Sequence, residues 1–395
     1  MMRTKLTGFI VVIIIVLVFG KTNAYAKDSS TPAIKSESAI MIDAKTGRTL
    51  LGKHENAQMY PASLTKVATA IYAIEKGNLH DQVKISPAAA AAVGSSVYVT
   101  AGETIPLLNL VQGFLINSGN DAGVAIAEHL SGSQENFATD LNTFLQTKVK
   151  TTGTNFTNPH GLFDKNHYTT ADDLAKITQF AMKNPIFRDA FSKKELPWHV
   201  KTWDTTLITH HRLLKGEQPY KGITGGKTGF VSKSGHTLIT SAKRGNMELI
   251  AVTLKSTSAR QAYNDTKSML NYGFSHFTTS KIDKSKRFSV KGKTFSLKQD
   301  LYYTQLKDDT PVFKTEKNGI LEVKNQIGEV MQSFDLELVA NAEEMPKPKP
   351  DQKELKDTQG KRLFYPSLLV LFLLLCSGMF VQKRRAKKRR NKYHW

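Results

Sequence analysis

The sequence predicts an α+β fold: one antiparallel sheet covered by helices, then a small β-rich domain and a C-terminal membrane-spanning helix. Three observations predict it. Two β-rich runs lie far apart, at 39–51 and 237–254, with helix-type segments between them and one more after the second run. Residues 281–339 carry only short alternating runs, such as Phe288-Ser289-Val290, separated by charged turns. Residues 363–381 are apolar and free of charge.

Taken in order, residues 1–26 read as a secretory signal. Arg3 and Lys5 precede an apolar core at 9–19, and Ala24-Tyr25-Ala26 supplies a small-x-small cleavage site. Residues 27–37 are polar and read as loose. The first β-rich run is a hairpin turned by Asp43-Ala44-Lys45-Thr46-Gly47. Helices are expected over 63–76, from 105 towards 115, over 120–130 and over 135–149. Thr170, followed by Asp172 and Asp173, marks a helix start. Two strands flank Arg244-Gly245-Asn246, and a helix follows over 259–272. The main domain therefore spans 35–277 and the β-rich domain 281–340. Residues 341–361 are rich in Pro, Lys, Glu and Asp and read as a solvated linker.

At about 1.5 Å per residue, the run at 363–381 reaches about 28 Å, close to the thickness of a bilayer core. The tail at 382–395 begins with the basic cluster Lys383-Arg384-Arg385, which marks the cytoplasmic side and leaves the body of the chain outside the cell. This tail accounts for part of the net charge of +21, so no nucleic-acid partner is needed to explain it. The single cysteine, Cys376, lies inside the apolar run. It can form no internal disulfide, it is a poor catalytic thiol, and a dense Cys/His zinc site is excluded. No metal and no organic cofactor are implied.

Three short segments carry chemistry. In Pro61-Ala62-Ser63-Leu64-Thr65-Lys66, Ser63 and Lys66 fall one helical turn apart on one face. A serine hydroxyl needs a neighbouring base, and a desolvated lysine can be one. Alone, the pair reads more readily as a helix cap beside a solvated lysine. In Ser118-Gly119-Asn120-Asp121-Ala122, Ser118 can relay a proton and Asn120 can hold a substrate amide, although such residues also favour loops and caps. In Gly225-Gly226-Lys227-Thr228-Gly229-Phe230, the glycines allow close backbone approach, and Lys227 and Thr228 can bind a carboxylate. If the Phe230 N–H faces the Ser63 N–H, the two form an oxyanion hole. Lys45-Thr46-Gly47 repeats the Lys-Thr-Gly triplet but sits in the hairpin turn, and reads as structural.

The order S-x-x-K, S-x-N, K-T-G is the signature of serine penicillin-recognising enzymes. Over residues 38 to 277 the sequence resembles the low-molecular-weight penicillin-binding proteins that act as D-alanyl-D-alanine carboxypeptidases. Asn158-Pro159-His160-Gly161-Leu162, Arg212-Leu213-Leu214 and Asn264-Asp265-Thr266-Lys267 add to the likeness. The resemblance implies a penicillin-binding/β-lactamase-like catalytic domain that acts on peptidoglycan stem peptides ending in D-Ala-D-Ala and is acylated by β-lactam antibiotics. It implies Ser63 as the acylated nucleophile, Lys66 as proton acceptor, and Ser118 and Asn120 lining the proton relay and the substrate. Lys227 would bind the terminal carboxylate, with Thr228, Gly229 and Phe230 as further substrate-binding residues. Two positions depart from the family: His236 stands where a tyrosine is frequent, and His211 where an asparagine is common.

Other readings stay open beside this one. Capture of the acyl-enzyme by an amine would make the chain a D,D-transpeptidase cross-linking stem peptides. A β-lactamase of the E-x-x-x-N type is disfavoured. Between Asp121 and Lys227 the glutamates are Glu128, Glu135, Glu195 and Glu217, and four residues beyond them stand Gly132, Thr139, His199 and Lys221. The lysines between Lys281 and Lys324 read as scattered solvated positions on turns, or as a surface for anionic wall polymers.

Overall fold

Strand β1 (Ser38–Asp43) is buried along its whole length, and its side chains divide between two cores. Ile40 and Ile42 enter the larger core, while Ala39 and Met41 enter a second one on the opposite face of the sheet. A strand covered on both faces has no need of polar alternation, which is why this run is almost continuously apolar. The computed structural model describes residues 31–341. The 1–26 signal, most of the 341–361 linker, the 363–381 span and the 382–395 tail lie outside the described residues. Among the described residues, no helix is long and apolar enough to cross a membrane.

The architecture is α+β. After β1 come β2 (Thr49–Lys53), helices α1 (Thr65–Lys76), α2 (Leu107–Ile116), α3 (Asn120–Ser131), α4 (Gln134–Phe144), α5 (Ala171–Ala181) and α6 (Pro185–Ser192), then β3 (Ile223–Val231), β4 (Gly235–Arg244), β5 (Met247–Ser256) and α7 (Ala259–His276). The five strands form one antiparallel sheet in the order β2-β1-β5-β4-β3. Helices α1 to α6 pack on one face, and α7 covers the other with Met269, Leu270 and Phe274. The N-terminal hairpin and the C-terminal strands of the domain meet at the β1–β5 pairing, in the register Ser38↔Leu254 to Asp43↔Leu249.

Several boundaries differ from the sequence reading. The helix expected from 63 starts at Thr65, because a 3₁₀ turn, Ala62–Leu64, precedes it. The helix expected from 105 starts at Leu107, because Thr104–Pro106 pairs as a short strand with Gln82–Lys84. The helix expected over 135–149 is α-helical only to Phe144. It widens into a π turn, Leu145–Val149, and stops at Lys150, whose φ is +68°. The segment 27–37 is not loose throughout: the Ser36 hydroxyl and backbone N–H donate to the buried Asp265 carboxylate on α7 at 2.6 and 2.7 Å. The hairpin Glu195–Val200/Trp203–Ile208 was not anticipated. Nor was β3, whose Gly225, Gly226 and Gly229 disguise a strand as a loop.

Helix α7 runs directly into the strand Phe277–Ile282, which pairs with Leu301–Leu306. Two three-stranded sheets complete the small domain around Ile282, Phe288, Leu297, Tyr303, Leu321 and Val323. The junction is polar and buried. The Asp43 carboxylate accepts the Thr279 hydroxyl at 2.5 Å and the Thr304 hydroxyl at 2.7 Å. The Thr46 hydroxyl lies 2.6 Å from the Thr304 hydroxyl, and the Arg48 guanidinium donates to the Thr304 carbonyl. The second Lys-Thr-Gly triplet is thus a docking turn for the small domain, with Gly47 supplying the positive φ of +76°.

Candidate active site

The centre of the site is the Lys66 amine, whose side chain is fully buried. It donates to the His160 carbonyl at 2.6 Å and to Asn120 Oδ1 at 2.7 Å, and it lies 3.3 Å from Ser63 Oγ. Burial holds its pKa well below the usual ammonium value; the Lys227 cation lowers it further, and Asp121 acts against both. A neutral amine has two hydrogens and one lone pair. When Lys66 is neutral, the two fixed acceptors take its hydrogens and the lone pair faces the Ser63 hydroxyl. That is the geometry a general base requires.

Each partner is itself held. Asn120 Nδ2 donates to the Val93 carbonyl at 2.7 Å, which turns Oδ1 towards Lys66. Asp121, buried beside it, accepts the Val97 and Val99 N–H groups at 3.0 and 3.2 Å and the Ser96 hydroxyl at 2.5 Å, fixing the loop opposite the serine. The His160 carbonyl reaches Lys66 because Gly161, at φ +87°, lies against the Ala62 carbonyl, where a Cβ would come within 1.9 Å of the oxygen. This is the work of the Asn158-Pro159-His160-Gly161-Leu162 segment, to which the sequence reading gave no role.

Ser118, at φ +63°, presents its hydroxyl 3.1 Å from Lys227 Nζ. Burial lowers the Lys227 pKa to about 7. Lys227 belongs to β3, the edge of the sheet, beside the serine turn. A Cβ on Gly229 would sit 2.4 Å from the Thr237 hydroxyl and 2.9 Å from the Ser63 nitrogen, so only glycine lets the strand pass there. Thr237 on β4 donates to the Pro61 carbonyl at 2.9 Å and ties the sheet to the turn from the other side. A cavity of about 400 Å³ opens over these groups, lined by Ser63, Ser118, Thr228, Gly229, Phe230 and His236 among others. All the residues singled out from sequence, Ser63, Lys66, Ser118, Asn120 and Lys227 to Phe230, therefore line or adjoin one cleft. Phe230 is 57% exposed, and its ring stacks against His236 at 4.6 Å between centroids.

Three features escaped the sequence reading. His210, Arg212 and Tyr263 also line the cavity; Arg212 was quoted for the family likeness but given no role, and His210 and Tyr263 lie outside the three motifs, so spacing gave no signal. The second is a chain behind the nucleophile. His167 Nδ1 accepts the Thr157 N–H at 3.0 Å, and burial holds the ring neutral, with a pKa of about 4. Its proton then resides on Nε2, which donates to Thr65 Oγ1 at 2.8 Å; that hydroxyl in turn donates to the Ala62 carbonyl at 2.9 Å. The Ala62 carbonyl and the Ser63 N–H share one planar peptide, so the chain aims that N–H. Ala62 itself holds φ at +50°, a strained setting for alanine that these bonds stabilise. The third concerns His211. Its Nδ1 accepts the Leu214 N–H at 3.2 Å and caps the short helix Arg212–Lys215, as an asparagine would, while the ring fills the space left by Gly226.

A profile of the D-alanyl-D-alanine carboxypeptidase family matches residues 25–258. The chain belongs to that family. It is 31% identical over 344 residues to the D-alanyl-D-alanine carboxypeptidase DacF of Bacillus subtilis, covering 83% of this chain and 84% of the relative. Among solved structures it is similar to penicillin binding protein 5 from Haemophilus influenzae, with a TM-score of 0.70 and 26% identity, covering 78% of this chain and 98% of the other. A DD-transpeptidase from Streptomyces also matches, with a TM-score of 0.58 and 27% identity, over 62% of this chain and 99% of the other.

Two outcomes follow from this geometry. Below about pH 7 the Lys227 cation depresses the Lys66 pKa, so Lys227→Gln lets it rise and moves the acid limb of the kcat/KM profile to higher pH. An acid limb left in place, with only the amplitude reduced, would separate the two lysines. Thr65→Val breaks the chain to the Ala62 carbonyl and lowers kcat by about tenfold or more with little change in KM. Thr65→Ser restores the rate; a Thr65→Ser enzyme as slow as Thr65→Val would show that packing, not the hydroxyl, matters.

Proposed function

We infer that this chain is a serine-type D-alanyl-D-alanine carboxypeptidase that removes the terminal D-alanine from peptidoglycan stem peptides through an acyl-enzyme on Ser63. The observation that carries the reading is the buried Lys66 amine, held by the His160 carbonyl and Asn120 Oδ1 and placed 3.3 Å from Ser63 Oγ. In this reading Lys66 takes the Ser63 proton as Oγ attacks the carbonyl of the penultimate D-alanine. The Ser63 N–H and an N–H from the β3 edge at Phe230 hold the oxyanion. Lys227, with Thr228, receives the terminal carboxylate, while Asn120 lines the substrate amide. Collapse of the tetrahedral intermediate breaks the C–N bond, and the leaving amine takes a proton relayed through Ser118. Water then hydrolyses the ester, returning free Ser63.

A β-lactam enters the same cycle: its ring amide opens on Ser63 and its carboxylate sits on Lys227. No aspartate or glutamate lines the described cavity around Ser63, so no carboxylate stands ready to activate water there. That supports slow hydrolysis of the drug ester, against the β-lactamase reading. It also leaves room for transpeptidation, a second reading favoured by the likeness to the Streptomyces DD-transpeptidase.

With a labelled penicillin, the purified full-length chain acquires one adduct, on Ser63, that persists for minutes. With a peptide ending in D-Ala-D-Ala it releases one D-alanine per peptide, and Ser63→Ala does neither. An adduct elsewhere, or an active Ser63→Ala enzyme, would remove Ser63 from the reaction. Added glycine or a D-amino acid that appears in the product marks the transfer reading.

We further propose that the chain is exported, loses residues 1–26, and is held in the cell membrane by 363–381 with its catalytic domain outside. The basic cluster after that run supports this orientation. Protease added to protoplasts removes the catalytic domain and leaves a short membrane-bound fragment; full protection of the domain would reverse the topology.

A further inference from the structure

A cavity larger than the one over Ser63 lies away from the active site. It is a groove of about 880 Å³ at the junction of the catalytic and β-rich domains. Five cationic side chains line it, Lys45, Lys183, Arg188, Lys284 and Lys298, against only two carboxylates, Glu248 and Asp300. Both carboxylates are already engaged. Glu248 receives Arg188 as a two-pronged pair at 2.8 and 3.0 Å, and Asp300 accepts from Lys281 at 3.0 Å. Lys298 reaches Glu337 at 2.9 Å in a pair exposed to solvent. Lys45, Lys183 and Lys284 have no carboxylate partner among the described residues. Lys45 instead lies 4.2 Å above the Tyr302 ring.

We propose that this groove binds a linear phosphodiester polymer, separately from the peptide that occupies the catalytic cleft. Like charges gathered in a concavity between low-dielectric walls raise the local potential and favour an anion there. The free donors are ammonium groups, which bind separate single charges, whereas planar carboxylates are matched by the guanidinium, and the one guanidinium here is occupied. Tyr302, Phe334 and Met182 give the groove an apolar lining for the carbon linkers between charges. The walls are set in advance, because the Asp43–Thr279–Thr304 bonds lock the two domains together. The volume suits a chain segment rather than one phosphate. Its concave form admits a strand of polymer and excludes a flat bilayer, although lipid headgroups carry the same phosphodiester chemistry.

The test uses purified full-length chain and fluorescently labelled poly(glycerol phosphate), with binding followed by anisotropy at two salt concentrations. The double variant Lys183→Gln/Lys284→Gln binds at least about tenfold more weakly, and its log–log salt slope falls by about two, one for each lysine removed. The control Lys76→Gln/Lys84→Gln removes two exposed lysines outside the groove and keeps wild-type affinity and slope. D-alanine release from a soluble peptide stays unchanged in both, which keeps this result independent of the catalytic reading. Sedimentation with phosphatidylglycerol vesicles is unaffected by the groove variant. Equal losses in the groove and control variants would reduce the effect to diffuse charge and overturn the proposal. So would a groove variant that loses vesicle binding while its polymer binding is intact, or a wild-type chain that binds no polymer at either salt concentration.

Discussion

Everything in the catalytic cleft depends on keeping one amine dry. A lysine in water is protonated at neutral pH and cannot take a proton from serine. Full burial of Lys66, with Lys227 as a second cation nearby, weakens that preference. An ammonium with an unmatched charge is costly to bury, so the surroundings must satisfy the amine without a carboxylate in direct contact. They do so with a backbone carbonyl and a side-chain amide, His160 O and Asn120 Oδ1. Much of the local sequence serves this end: Gly161 for the approach of the carbonyl, Val93 to orient the amide, Asp121 to hold the loop above.

The same logic explains the uneven legibility of the sequence. The three motifs were readable because their spacing reflects direct side-chain encounters: three residues along a turn for Ser63 and Lys66, and a Gly-Lys-Thr-Gly strand that sets Lys227 beside Ser118. The hairpin of β1 and β2 and the pair β4 and β5 were readable because apolar β-formers dominate them. Strand β3 was not, because it trades propensity for clearance at Gly225, Gly226 and Gly229. The start of α1 was misplaced because the left-handed Ala62 is stabilised by Thr65, Gly161 and Thr237, two of them distant in sequence. His167 and Arg212 reach the site only through the fold. The two departures from the family were legible as residues but not as roles: His211 caps a helix from a buried position, while His236 lies at the cavity beside Phe230.

The junction between the domains shows how a repeated triplet can be put to two uses. Lys227-Thr228-Gly229 is flat, extended and lies along the cleft. Lys45-Thr46-Gly47 is bent by a positive φ, with its threonine on the small domain and its lysine on an aromatic ring. Identical residues take on opposite tasks because one triplet lies in a sheet edge and the other in a hairpin turn. The small domain is thereby fixed to the catalytic domain at a buried carboxylate, Asp43, rather than through a flexible tether.

The pairing of β1 with β5 has a consequence for the order in which the molecule is made. Ser38 and Leu254 are direct partners, so the centre of the sheet joins segments more than 200 residues apart in the chain. Contacts of such range close late, after the helical lobe between them has formed from local interactions. The turn that holds Ser63 and the strand that holds Lys227 come into register only at that closure. A nascent or truncated chain lacking β5 can therefore hold a well-formed helix with its serine and lysine and still have no cleft. The cleft is therefore a property of the closed sheet and not of the Ser63–Lys66 helix alone.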